Sequence, residues 1–112
     1  MNTYHYVKSF QAIRGRMTDK QIGMLRFHYQ AQNHTATMTE IAHSVGYPDY
    51  NTANLHYGAV GRMLAEEMGW TPQEESPWLS ALVDFHRQNA SEEWQLTLHP
   101  TVVKALEQLG WF

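Results

Sequence analysis

The sequence contains no cysteine, which excludes disulfides, thiolate zinc sites and thiol chemistry and leaves the fold to packing alone. It also lacks any apolar run near the roughly 20 residues that span a bilayer. Residues 1–16, MNTYHYVKSFQAIRGR, have no uninterrupted apolar segment of the kind a signal peptide needs. A cytoplasmic protein without membrane attachment is therefore expected. Basic residues are scarce: eight Lys and Arg stand against eleven Asp and Glu, giving −3. This argues against a strong free-standing polyanion binder, because counterion release needs several cations. The phosphate-binding, dinucleotide and nucleophile-elbow glycine motifs are all missing, and no H-E-x-x-H occurs. Asp19, Glu40 and Asp49 sit where helix caps and first turns are expected and do not form an acid/base pair. A non-enzymatic chain with no cofactor and no metal is the expectation.

What is present suffices for one modest core. A chain of 112 residues, 43% hydrophobic and with four Trp, six Tyr and four Phe, is expected to form a single domain over 1–112. Its charge is polarised. Residues 1–63 carry six Lys or Arg against three Asp or Glu, whereas residues 64–112 carry two against eight. An anionic partner is thus expected at the N-terminal half.

Val7, Phe10 and Ile13 recur every third residue ahead of Gly15, which fits a short helix closed by a glycine at positive φ; Tyr4, Tyr6 and Val7 fit the start of a strand equally well. Thr18 and Gln21 form a capping box, and Ile22, Leu25 and Tyr29 share one face, predicting a helix over 19–32. Thr37 and Glu40 form a second box, opening a two-turn helix whose buried face is Ile41, Ala42 and Val45 and which ends at Gly46. Tyr47-Pro48-Asp49 must turn, and Asp49 can cap a helix over 50–68 ending at Gly69, with Tyr50, Ala53, Tyr57, Val60, Leu64 and Met68 on its apolar face.

Residues 71–77 read as a polar linker. Beyond them Leu79, Ala81, Val83 and Phe85 alternate, as do Trp94, Leu96 and Leu98, which suggests a β-hairpin; Ser76-Pro77 also permits a helix over 78–86. Pro100 opens a last helix with Val103, Leu106 and Leu109 inward and Gly110 as its C-cap. The fold expected is mainly α with a small β-hairpin, a winged helix-turn-helix-like domain.

In a helix-turn-helix a small residue allows the helices to cross closely and a glycine makes the turn, roles open here to Ala42 and Gly46. Projecting helix 50–68 at about 100° per residue places Asn51, Asn54, Leu55, Gly58 and Arg62 opposite the apolar face. Asn suits the N6/N7 edge of adenine, Arg suits guanine or phosphate, and Leu55 suits a thymine methyl. A solvated helix face explains the same residues without a ligand. Gly58 and Gly61 each cost about 1 kcal/mol of helix propensity and imply close approach by another backbone or a ligand.

The hairpin loop, with Arg87, Gln88 and Asn89 after His86, is a second DNA-contact candidate, although Glu92 and Glu93 would repel phosphate. Arg14, Arg16 and Lys20 can position phosphates or form an ordinary solvated patch. Seven histidines invite a metal reading, but His28, His34, His43 and His56 lack helical metal spacing. The aromatic residues exceed what so small a core readily encloses, which leaves some for a protein interface, a homodimer or a platform for an unpaired base.

The stretches TATMTEIAHSVGYPDYNTANLHYGAVGRMLAEEMGW and WQLTLHPTVVKALEQLGW resemble the non-catalytic module of bacterial modification-dependent HNH restriction endonucleases and related predicted DNA-binding proteins, over about residues 18–111. The resemblance makes Ala42, Gly46, Tyr47, Tyr50, Asn54, Leu55, Tyr57, Gly58 and Leu64 its pattern residues. It implies a module that docks duplex DNA or helps sense an altered base. These residues include no HNH segment, so the resemblance does not carry cleavage. The alternative is a protein-interaction or dimerisation module of a regulator or restriction system, without nucleic-acid contact.

Overall fold

Five α-helices and three short strands make up the computed structural model, which describes residues 1–112. Helix α1, Thr3–Ile13, starts on an Asn2 cap whose side chain accepts from the His5 backbone, and His5 reaches back to the Asn2 N–H. That reciprocal cap settles the N-terminus as helix and overturns the strand alternative. Gly15 does not close α1 with a positive φ. The chain stays right-handed at Arg14 and tightens into a 3₁₀ turn over Arg14–Arg16, beyond which Met17 is buried.

Helix α2, Asp19–Gln30, and helix α3, Met38–Ser44, begin on the Thr18/Gln21 and Thr37/Glu40 boxes, each satisfying two otherwise orphaned N–H groups. α2 stops two residues earlier than expected because the backbone is already extended at Ala31, and Asn33 and His34 then turn the chain at positive φ. That turn sets up β1, Thr35–Thr37, a strand with no counterpart in the sequence reading. Helix α4, Tyr50–Met68, is capped by Asp49 and ends at Gly69, where φ is +67°. Its buried side is Ala53, Tyr57, Val60, Gly61, Leu64 and Ala65; Tyr50, expected on this face, is 52% exposed.

Residues 78–86 combine the two rival readings. Trp78–Ala81 form a 3₁₀ turn after Pro77, whose carbonyl accepts from the Ser80 N–H, and only Val83–His86 are strand, β2. Leu79 and Ala81 thus enter the core from a turn and not from a strand. Strand β3, Gln95–Leu98, pairs antiparallel with both β1 and β2, so the sheet has order β1-β3-β2 and three strands where a two-stranded hairpin was expected. Helix α5, Pro100–Leu109, buries Val102, Ala105 and Leu106 most deeply, with Val103 and Leu109 only half-buried. The molecule is a mainly helical domain with a small antiparallel sheet around one apolar core. No helix is long and apolar enough to cross a membrane.

Two polar ties cross the core. Tyr6 donates from its hydroxyl to the Ala81 carbonyl at 2.5 Å, joining α1 to the 3₁₀ turn before β2. His28, fully buried on α2, lies 2.7 Å from the Tyr57 hydroxyl of α4 and 2.8 Å from the Leu96 carbonyl of β3. The carbonyl can only accept, so Nε2 carries the proton and Nδ1 accepts from Tyr57.

Candidate nucleic-acid interface

The position of α4 follows from small residues. Ala42 is fully buried where α3 meets α4, and its carbonyl accepts from the Tyr47 N–H at 3.0 Å. Gly46 takes φ +83°, a left-handed value that glycine adopts without strain. On the other side, a Cβ at Gly61 would lie 2.5 Å from the Trp78 carbonyl oxygen and 2.8 Å from Leu79 Cα, so the backbone of the 3₁₀ turn rests directly on the helix. Gln21 donates to the His56 carbonyl and ties α2 to the same helix. With α4 anchored on these sides, Asn51, Asn54, Leu55 and Arg62 are left exposed.

Gly58 differs from the expectation that a backbone approaches it. Nothing lies within 4 Å of the position its Cβ would occupy, and it borders open space on the outer side of α4. Two grooves meet on that side, with Asn54 in both. One, of about 350 Å³, runs between α4 and the hairpin and includes Met38, Tyr50, Phe85, Arg87, Trp94 and Leu96. The other, of about 400 Å³, passes Leu55, Gly58, Arg62 and Trp78. Leu55 is 69% exposed, and Tyr50 and Trp94 are also prominent apolar groups at the surface.

The cations expected to meet phosphate have partners within the chain. Arg62 lies 5.2 Å from the centre of the Trp78 ring and 3.6 Å from a Glu66 oxygen. Arg87 lies 4.1 Å over Trp94 and reaches toward the Ala90 and Glu92 carbonyls. Lys20 donates to the Val45 carbonyl at 2.9 Å and stands 4.6 Å over Tyr47. Arg14 lies over Trp111, whereas Arg16 pairs with Glu67 at the far end of α4. The three N-terminal cations are thus committed to different parts of the molecule. Of the three, Lys20 stands beside the turn leading into α4.

The hairpin loop is braced by its own acid. Glu92 accepts from the Gln88 N–H and from the Asn89 side chain at 3.0 Å, which explains why an acidic residue follows the Arg87-Gln88-Asn89 run. Glu93 accepts from both the N–H and hydroxyl of Thr39, at 3.0 and 2.9 Å, and so pins the hairpin to the first turn of α3. That function of Glu93 was not apparent from sequence, since its partner is 54 residues away. The α4 N-terminus is likewise occupied by the Asp49 carboxylate, leaving neither helix end open to an anion.

Tyr6, His28 and Tyr57, whose proton affinities are shifted mainly by burial, lie in the core. The Tyr6 phenol is pushed up to about 12 by burial and by nearby Asp84. No three His, Asp or Glu side chains gather as a possible metal-ligand set. Comparison with family models, curated proteins and solved structures gave no match for this chain.

Proposed function

We propose that this chain is a non-catalytic winged helix-turn-helix-like domain that docks duplex DNA, with α4 in the major groove and the 86–89 loop against the adjacent backbone. The element order α2, β1, α3, α4, β2, β3 and the strand order β1-β3-β2 support this architecture, with α4 as the recognition helix and the β2–β3 hairpin as the wing. The observation that carries the reading is the orientation of α4. Ala53, Tyr57, Val60 and Leu64 hold it inward, while Asn51, Asn54 and Leu55 face solvent, free to meet base edges. The resemblance to non-catalytic restriction modules points the same way.

The test is a duplex panel titrated against Asn54→Ala and Arg62→Ala. Asn54→Ala is expected to weaken preferred sequences by about five-fold or more with little effect on random DNA. Arg62→Ala should weaken all duplexes alike and reduce the salt dependence. Uniform losses for both variants, or no loss for either, would remove the assigned roles. A second reading, a protein-docking or dimerisation module, is favoured by the exposed Tyr50, Leu55 and Trp94 beside α4. Concentration-dependent self-association in sedimentation, without affinity for any duplex, would select it.

A further inference from the structure

The groove between α4 and the hairpin exposes two aromatic rings, Tyr50 and Trp94, that edge-on reading of a duplex leaves unused. Tyr50 borders it from the first turn of α4, and Trp94 and Arg87 border it from the hairpin. The guanidinium of Arg87 lies 4.1 Å over the indole, and Phe85 meets that indole edge-on, with ring centres 6.3 Å apart. Trp94 is thus held in place while remaining 43% exposed, and Tyr50 is 52% exposed. Exposing two large aromatic rings beside a cavity of about 350 Å³ forgoes the burial that would ordinarily stabilise them.

The polar inventory of the groove is selective. Glu93 accepts from Thr39 and Glu92 from the hairpin loop, which orders their oxygens but leaves both negative charges at the groove beside Arg87, so affinity there has to come from stacking and not from phosphate attraction. Asn54 lines the groove, and its side-chain amide carries both a donor and an acceptor. Planar π groups and a guanidinium stack on any nucleobase, and an amide matches the donor/acceptor edge of a base. An aliphatic segment would use the rings but not the amide.

We infer that this groove receives a single unpaired base of a nucleic-acid strand, stacked among Tyr50, Trp94 and Arg87 and addressed by Asn54. The inference rests on the duplex-docking reading and deepens it: α4 engages the duplex, and the slot beside it holds a base that has left the stack. Stacking then supplies affinity that the sparse cations do not. Asn54, exposed on the side of α4 that the proposed docking mode turns toward DNA, borders the slot.

The experiment compares labelled duplexes that are identical except for one bulged adenine, by fluorescence anisotropy with the full chain. The bulged duplex should bind about five-fold or more tightly than the matched one. Trp94→Ala and Tyr50→Ala should each remove that gain while retaining matched-duplex binding. Both residues lie outside the buried core, and unchanged thermal melting of each variant would establish that it remains folded. Equal affinity of the wild type for matched and bulged duplexes would overturn the slot while leaving duplex docking intact. Absence of binding to every duplex would overturn duplex docking; in that case a single-stranded oligoadenylate lacking Trp94-dependent binding would overturn the slot as well. Adenosine alone binding as tightly as the bulged duplex would overturn the assignment to a strand in favour of a free nucleoside.

Discussion

His28 shows how much one polar side chain can control in a core of this size. Burial is the largest influence on it and pushes its pKa down to about 4, against the opposing effect of the hydrogen bond to the Leu96 carbonyl. In the unfolded chain the ring titrates near 6.5. Because the folded value is the lower one, the unfolded state binds more protons between the two. The stability contribution is complete above pH 6.5 and is lost as pH falls toward 4, amounting to about 3 kcal/mol when fully lost. Urea midpoints should therefore be level above neutrality and fall through this window. His28→Gln, although less stable at neutral pH, should lose less between pH 6.5 and 5, before most carboxylates titrate. Superimposable pH profiles for the two proteins would refute the assignment. Tyr57→Phe removes the donor to Nδ1 and leaves that nitrogen buried without a partner. It is expected to cost about 1–3 kcal/mol in chemical denaturation.

At the scale of elements, α4 carries two glycines with opposite requirements. Gly61→Ala would drive a methyl group into the Trp78 and Leu79 backbone at distances of 2.5–2.9 Å, and backbone cannot rotate aside. The 3₁₀ turn would have to move off the helix, at a cost of several kcal/mol, on the order of other overpacked cores. Gly58→Ala meets nothing within 4 Å and recovers helix propensity, so it should stabilise the fold by about 0.5–1 kcal/mol. Thermal melting of the two variants checks both signs. A stable Gly61→Ala would mean that the turn does not rest on α4.

Sequence alone distinguished neither glycine, because the partner of Gly61 is a backbone segment 17 residues later whose turn conformation periodicity does not specify. The helices were legible where a cap and a face coincided, as at Thr18, Thr37 and Asp49. The Asn2 cap escaped because His5 stands where Glu or Gln is usual. Strand β1 escaped because three residues are too few to show alternation, and it exists only by pairing with β3, about 60 residues away. Of the interface, the exposed asparagine side of α4 was legible from its angular position. The groove with Tyr50, Phe85 and Trp94 was not, since it depends on how the hairpin is tied to α3 through Glu93.

For the whole molecule, the decisive quantity is how few cations remain near the proposed docking side. A count of eight Lys and Arg overstates the supply. Arg14 is held at the C-terminal Trp111, Arg16 at Glu67, and Arg26 over Phe112, leaving Lys20, Arg62 and Arg87 nearest α4 and the wing. If these three meet phosphates, the slope of log affinity against log salt should be about −2.7, and affinity should fall roughly 40-fold from about 50 to about 200 mM salt. A slope of about −5 or steeper would require Arg14, Arg16 and Lys8 all to join. That would extend the DNA footprint beyond α4 and the wing toward α1 and the turn after it, and Arg14 and Arg16 would have to leave Trp111 and Glu67. A shallow slope together with retained sequence preference would place most of the binding free energy in base-edge and apolar contacts from the solvent-facing side of α4, consistent with exposed Asn51, Asn54 and Leu55 and with nearby cations that are already engaged within the chain.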